Sequence, residues 1–419
     1  MRKMIDSGVE WLGAIPQDWD LVQIKSIASC KSEKSSYIGG AYIGLEHIES
    51  GSGKLLADGS QTGIEVDSTV SSFSDTDILF GKLRPYLAKA AKPNFDGQCS
   101  TEILVLNPSS RIQKDFLFWY LLDPAFIDAV NASTYGAKMP RANWNFIGSC
   151  YLPLPPMNMQ TVISSVLNEK FAQVDTLIAN VQAQIEKLKA YKQSVITEVV
   201  TKGLDPTVPM KDSGVEWIGE IPAHWGVTRI KNMFELRNER NDEADLTKVN
   251  LISLYTDLGV VQHSDLTATT GNRAVTAEGY KIVRKNDIVV NIILCWMGAV
   301  GMSQYDGVTS PAYDIYRPLK DTNSEYYHYL FRTNRFNGEC YRYGRGIMMM
   351  RWRTYSTEFR AINIPCPPAE EQKKIVAHLN EKCNKIDQLI AIKQAKIEKL
   401  EQYKRSLIYE YVTGKREVM

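Results

Sequence analysis

The chain has 419 residues, 44% of them hydrophobic and 23% charged, with a formal net charge of +1. That length predicts two to three domains and that composition an ordinary soluble globular protein. Near-neutrality argues against holding nucleic acid by bulk electrostatics, and no apolar run reaches the 18 residues of a membrane span. The N-terminus, Met1-Arg2-Lys3-Met4-Ile5-Asp6, lacks the apolar core of a signal peptide, so a cytoplasmic location is expected, with no membrane partner. The seven cysteines are scattered and never form a C-x-x-C pair, and the five histidines show no metal-ligand spacing. They read as reduced, mostly buried thiols and as a chain without a metal site.

The first recognisable element is an entry segment, Asp6-Ser7-Gly8-Val9-Glu10-Trp11-Leu12-Gly13-Ala14-Ile15-Pro16-Gln17-Asp18-Trp19. It returns as Asp212-Ser213-Gly214-Val215-Glu216-Trp217-Ile218-Gly219-Glu220-Ile221-Pro222-Ala223-His224-Trp225. Trp11, Trp19, Trp217 and Trp225 read as packing anchors. After each copy comes a region of short apolar or alternating runs broken by Gly, Ser, Asn and Asp, such as Ile78-Leu79-Phe80 and Ile103-Leu104-Val105-Leu106 in the first. Ile288-Val289-Val290 and Tyr313-Asp314-Ile315-Tyr316 are their counterparts in the second. Both regions read as small α+β domains on a mainly antiparallel sheet, with a helix near 114–122 and another near 324–333.

A third duplicated element follows. Pro153-Leu154-Pro155-Pro156-Met157-Asn158-Met159-Gln160 returns as Pro365-Cys366-Pro367-Pro368-Ala369-Glu370-Glu371-Gln372, and the register then holds to Val200-Thr201 and Val412-Thr413. In the first copy Leu167, Phe171, Val174, Ile178, Val181, Ile185, Leu188, Val195 and Val199 follow steps of four and three, broken at Lys192. In the second, Leu379, Cys383, Ile386, Ile390, Ile397, Leu400, Leu407 and Tyr411 do the same, broken at Lys393 and Lys404. This is a coiled-coil seam, and about forty residues at about 1.5 Å each make a rod of roughly 60 Å. An apolar stripe on a long helix needs a partner, and the other copy is the obvious one. Since the first helix leads from domain one into the second entry segment, symmetry predicts that the second returns antiparallel to it. Thr413-Gly414-Lys415-Arg416 should then close on the first entry segment.

The two domains keep corresponding skeletons, Asp77-Ile78 with Asp287-Ile288 and Ser100 with Ser310, but not corresponding loops. Lys82-Leu83-Arg84-Pro85-Tyr86 faces Ile292-Ile293-Leu294-Cys295-Trp296, and Tyr135–Arg141 faces Tyr343–Arg351. From Arg332 to Arg360 seven arginines stand against two acids, Glu339 and Glu358, a basic stretch that fits nucleic-acid contact or a solvated face.

The duplicated D-S-G-V-E-W-[LI]-G-x-I-P-x-x-W motif, the run Gly81-Lys82-Leu83-Arg84-Pro85-Tyr86-Leu87 with Cys99-Ser100-Thr101-Glu102, and the two P-x-P-P-x-x-x-Q helices ending in V-T together resemble the specificity subunit of a type I restriction-modification system. The resemblance covers essentially the whole chain. It implies two pseudo-two-fold-related target recognition domains separated by two long antiparallel coiled-coil helices: domain one at 1–152, helical spacer one at 153–205, domain two at 206–364 and helical spacer two at 365–419. It further implies that each domain reads half of a bipartite, asymmetric double-stranded DNA site. The helices set the spacing and hold two modification (methyltransferase) subunits, to which a restriction/translocase subunit is added for host defence. S-adenosylmethionine, and ATP and Mg for restriction, then belong to those partners, and this chain carries no cofactor and no catalysis. The absence of an [ND]-P-P-[FY] motif and of G-x-x-x-x-G-K-[ST] agrees with that division.

Arginine for guanine, Asn or Gln for adenine and Lys for phosphate are the side chains to expect in the reading loops. The candidates are His47, Lys82, Arg84, Tyr86, Lys138, Arg141 and Asn143 in domain one, and Asn238, Arg240, Trp296, Arg342, Arg345, Arg351 and Arg353 in domain two. Met348-Met349-Met350 reads as core filler rather than a wedge into DNA. On the helices Leu177, Ile196, Leu389 and Ile408 flank the seam and are expected to be exposed for the modification subunits. A DNA-free coiled-coil scaffold holding protein partners is the alternative, and a nuclease or methyltransferase fused to a coiled coil is disfavoured by the missing motifs.

Overall fold

Alternation inside the short apolar runs decides how each half is layered. The computed structural model describes residues 2–31, 34–36, 40–56, 69–136, 138–265, 276–347 and 352–418. Two compact units divide it, Met1–Gln182 with Lys393–Met419, and Ala183–Ile392. The strand Ile78–Gly81 is wholly buried, because successive side chains point to opposite faces and both faces are covered. Ile78 and Phe80 enter the core beneath the helices, and Leu79 enters a second core shared with Ile43, Phe73, Cys99 and Val105. In the second unit Ile288 and Val290 take one side and Val289 the other.

Each unit is built on a four-stranded antiparallel sheet, ordered Ala28–Lys31, Ile103–Pro108, Ile78–Gly81, Ala90–Ala91 in the first and Phe234–Arg237, Tyr313–Pro318, Ile288–Asn291, Val300–Met302 in the second. In the first unit the outer face carries a smaller sheet in which Gly97–Ser100 pairs antiparallel with Thr69–Phe73 and parallel with Tyr42–Ile43. The opposite face carries helices α1 (Lys114–Leu121), α2 (Pro124–Ala132) and α3 (Trp144–Ser149), ahead of the long helix α4 (Met157–Lys202). The second unit repeats them as α5 (Ser324–Phe331), α6 (Asn334–Tyr343) and α7 (Ser356–Ala361), followed by α8 (Ala369–Val412).

Three short helices therefore stand in each unit where the apolar pattern predicts one. The missing pair had capping signals: Asp123, Thr333 and Asn143 accept from the N–H three residues on, and Pro124 opens α2. Helices of six to ten residues bury too little to show a clear period.

Helix α4 starts in the first unit and ends in the second, and α8 does the reverse. Within the first unit the end of α8 packs antiparallel on the start of α4, with Ile163, Leu167 and Phe171 sharing a core with Leu407, Ile408, Tyr411 and Val412. Within the second, Ile196, Val199 and Val200 share a core with Ile375, Val376, Leu379 and Cys383. Full burial of each such aliphatic chain contributes about 1.5–3 kcal/mol. The lysines that interrupt the heptads are partnered. Lys404 is buried and its Nζ lies 2.7 Å from Asp175 and 5.0 Å over the Phe171 ring. Lys192 reaches Asp387 at 2.6 Å.

The entry segments are small hairpins. Met4–Asp6 pairs with Ala14–Pro16, and Met210–Asp212 with Glu220–Pro222. Trp19 and Trp225 are buried, Trp11 packs on Tyr120 and Phe126, and Trp217 on Phe336, so all four act as packing anchors. The residues after α8 close on the first hairpin, as the duplication predicts: Lys415 Nζ donates to the Leu12 carbonyl at 2.8 Å and Arg2 N to Glu417 at 2.8 Å. Gly414, at φ 72°, lies so close that a Cβ would come within 2.4 Å of Pro16 and 3.0 Å of Trp19. Glycine is the residue that fits both the turn and the contact.

Candidate nucleic-acid interface

Where the central strand leaves the sheet, each unit joins two loops far apart in sequence. In the first unit Ile78–Gly81 runs on into Lys82–Leu87, and the segment from Tyr135 to Asn143 docks on it. Arg84 N donates to Pro140 O at 2.8 Å and Ala142 N to Lys82 O at 2.9 Å, while Tyr135 and Arg141 exchange both backbone bonds. The folding thus brings Lys82, Arg84 and Tyr86 to Lys138, Arg141 and Asn143. Arg84 and Ala88 hold φ at 52° and 46°, a left-handed backbone that non-glycine residues rarely adopt and that concentrates at functional loops. Arg84, Tyr86 and Lys138 are exposed.

Other candidates here are already engaged. The carboxylate of Glu102 takes Arg141 Nε at 3.0 Å and Nη2 at 3.1 Å, which raises the guanidinium above its ordinary pKa. Asn143 Oδ1 caps α3 by accepting from Phe146 N at 2.9 Å. His47 Nδ1 accepts from Gly44 N at 3.1 Å, its ring stands edge-on to Tyr42, and its side chain is 14% exposed. The turn after it reaches the same loop through Gly51 N to Ala88 O at 3.0 Å. There Tyr86, Leu87 and Ala88 line a cleft of about 400 Å³ with Ser50, Asp128 and Arg405.

The second unit repeats the junction with different side chains. Ile288–Asn291 runs on into Ile292–Met297, Thr354 N donates to Ile292 O at 2.8 Å, and Arg345 and Arg353 exchange both backbone bonds. Leu294 and Met297 are exposed. Trp296 packs on Tyr341 at 5.8 Å with its Nε1 buried and unpartnered among the described residues. Trp352 stacks on Tyr341 at 4.9 Å and donates to its carbonyl. Beneath them Cys295 Sγ lies 3.2 Å from Cys340 Sγ, two buried thiols whose proximity the scattered cysteines did not reveal.

The arginine-rich stretch is not a single basic face. Arg332 turns inward and donates to the carbonyls of Val300, Thr256 and Asp257. Burial pulls its pKa below the ordinary value. Arg342 lies 3.6 Å from Glu216 and 3.7 Å from Glu339, and Arg345 3.2 Å from Glu358. Arg353 is exposed, with no carboxylate against it among the described residues. Asn238 and Arg240 follow the strand Phe234–Arg237, where Asn238 lines a cleft of about 160 Å³ with Glu239 and Arg317, and Arg240 donates to Gly279 O at 2.8 Å. Arg351 and Met348-Met349-Met350 lie outside the described residues.

On the helices Leu177 and Leu389 are each 47% exposed. Ile196 and Ile408 are not on the surface as expected: they are 7% and 1% exposed. At those ends each helix is enclosed by its unit as well as by the other helix, which buries a flank that a two-helix seam alone would leave open.

The model of the type I restriction modification DNA specificity domain matches residues 16–187 and again 222–402, most of the chain. The chain belongs to the type I restriction-modification specificity subunits. The type I restriction enzyme MjaX specificity subunit of Methanocaldococcus jannaschii, described as putative, is 25% identical over 96% of this chain and 95% of its own length. The EcoDI specificity subunit of Escherichia coli is 28% identical over 57% of this chain, a match that spans 49% of EcoDI. The fold matches a chain solved in a study of complex assembly and conformational transition of the type I R-M system, with TM-score 0.73, 16% identity and coverage of 96% and 99%. It also matches the HsdS subunit of Thermoanaerobacter tengcongensis, with TM-score 0.53, 17% identity and coverage of 98% and 100%. The fold of this specificity subunit is that of the family, α+β with two long helices, and its function is DNA sequence recognition. Among the described residues no helix is long and apolar enough to cross a membrane.

Proposed function

We propose that each unit of this specificity subunit reads one half of a bipartite, asymmetric site in double-stranded DNA. Helices α4 and α8 set the distance between the halves and dock two modification subunits, to which a restriction/translocase subunit is added. The observation that carries this reading is the repeated loop junction with exchanged side chains. Lys82, Arg84 and Tyr86 in the first unit answer to Ile292, Leu294 and Trp296 in the second, on the same turn held by the same backbone bond. A core kept constant while its rim is rewritten is what two readers of different sequences need. The cationic rim suits phosphates and guanine edges, and the apolar rim suits thymine methyl groups.

The chain then performs no catalysis. S-adenosylmethionine, and ATP and Mg²⁺ for restriction, act on the partner subunits in the cytoplasm. The exposed Leu177 and Leu389 are the apolar points offered to those partners.

The test is single-molecule methylome sequencing of cells expressing the chain with its modification subunit, compared with Arg84→Ala/Tyr86→Ala and with Trp296→Ala. A bipartite N6-methyladenine motif that loses definition in one half with the first variant and in the other half with the second supports the reading. Methylation indifferent to the chain would leave a DNA-free scaffold instead.

A further inference from the structure

The two junctions differ in one charge that lies outside the loops themselves. The turn before the sheet's second strand is the same in both units: Glu102 N donates to Ser100 Oγ at 3.2 Å, and Ala312 N to Ser310 Oγ at 3.3 Å. Strands Ile103–Pro108 and Tyr313–Pro318 follow at once. Arg141 stands opposite that turn in the first unit, and Arg353 is its counterpart in the second, equivalent through their reciprocal backbone pairs with Tyr135 and Arg345 and through the adjoining bonds from Ala142 and Thr354. Where the first turn sets a glutamate before Arg141, the equivalent position of the second turn is an alanine.

From this, and resting on the reading that both junctions face DNA, we infer that the residue at position 102/312 decides whether the junction arginine touches DNA. In the first unit Glu102 makes Arg141 a positioning residue; in the second, Ala312 leaves Arg353 as the DNA contact. Glu102 occupies the Nε–Nη2 edge of Arg141, the fork that would otherwise meet a guanine or a phosphate, and neutralises its charge. Arg141 is thereby a strut between Glu102 and the loop that carries Lys138, and Lys82 N hydrogen-bonds to the Glu102 carbonyl at 3.0 Å in the same knot. Arg353 is exposed, and no carboxylate takes either edge of it among the described residues. Ala312 is exposed too, so the counter-charge can be added without disturbing a core.

The experiment titrates the complex of this chain with its modification subunits against its own methylated-motif duplex, from about 50 to about 200 mM salt. The variants are Ala312→Glu, Arg353→Ala and their double, with Glu102→Ala and Glu102→Ala/Arg141→Ala for the first unit. Ala312→Glu and Arg353→Ala should each weaken binding about tenfold. The double should be no weaker than Arg353→Ala alone, because the new carboxylate acts by capturing that guanidinium. Either the salt slope falls by about 0.9 in Arg353→Ala or one base of the second half-site is relaxed, as a phosphate or a guanine contact requires. Removing the pair together, Glu102→Ala/Arg141→Ala, should leave the slope unchanged, and Glu102→Ala alone should steepen it by about 0.9.

Full additivity in the double would mean that the carboxylate merely repels DNA, and would overturn the inference. So would wild-type affinity in Ala312→Glu, or a slope in Glu102→Ala/Arg141→Ala shallower than that of the unsubstituted complex. Failure of the underlying reading looks different: the unsubstituted complex would not distinguish its motif from a scrambled duplex.

Discussion

Replacing Asp123 with Asn should stabilise the first unit, and by an amount that depends on pH. Asp123 is fully buried at the start of α2, and burial pushes its carboxyl up to about 7, against the opposing pull of the Phe126 and Ala125 N–H groups and the Lys415 ammonium. One oxygen caps the helix at Phe126 N, 3.3 Å away, and the other has no partner among the described residues. An acid whose folded pKa lies above its unfolded value of about 3.9 binds its proton more tightly when folded, so stability falls as pH rises through about 4 to about 7 and then levels off. A separation of about three units at about 1.36 kcal/mol each gives a loss of about 4 kcal/mol across that window. Asn is as good a cap and cannot ionise, and the equivalent position in the second unit is the neutral cap Thr333. Thermal unfolding of the full chain should therefore show Asp123→Asn within a few degrees of the parent near pH 4.5 and exceeding it by roughly 8–16 °C at pH 8, at about 2–4 °C per kcal/mol. An equal gain at both pH values, or a loss at pH 8, would refute the argument.

Gly414→Ala should destabilise the first unit by more than about 1 kcal/mol, since a Cβ meets Pro16 and the backbone sits at φ 72°; urea unfolding followed by Trp19 fluorescence reads it. Lys404→Met should cost less than Asp175→Ala, because the second leaves a buried ammonium with Glu401, 3.7 Å away, as its remaining carboxylate among the described residues, while the first replaces it with an apolar chain of similar length; paired Tm measurements decide. A circular permutant opened beside Gly203, with Arg2 and Val418 joined by a short linker, should fold and assemble, because Glu417 already bonds to Arg2. Its failure to give a soluble complex by size-exclusion chromatography would count against the closed topology.

Several features of the fold were legible because their cause is local and repeats. Two helices of 46 and 44 residues follow from steps of four and three, broken at Lys192, Lys393 and Lys404, between proline leaders and a closing glycine. The sheet strands follow from Ile78-Leu79-Phe80 and Ile288-Val289-Val290, where turns bound runs too short for helices. Helices α2, α3, α6 and α7 were not expected, although Asp123, Asn143 and Thr333 marked starts, since a cap without a long apolar stripe is a weak signal.

The site was half legible. That the loops after the central strands and before the long helices differ between copies is visible in the sequence, and so is the chemistry of Lys82, Arg84 and Tyr86. Which cations remain available is not. Arg141 and Arg353 look alike in sequence, yet Glu102 claims the first from 39 positions away, and among the described residues no carboxylate claims the second. Arg332 counts as surface charge in a sequence window and is spent inside on three carbonyls.

What the sequence determined by itself is the duplication, the seam and the alternation, because periodicity is set by the backbone geometry of neighbouring residues. What only the tertiary structure decided is pairing: Asp175 for Lys404, Asp387 for Lys192, Glu102 for Arg141, and the burial of Ile196 and Ile408. A charge or an apolar flank has no preference among distant partners until the chain folds. Its role then depends on which of them comes within a few ångströms, where removal from water makes the contact strong.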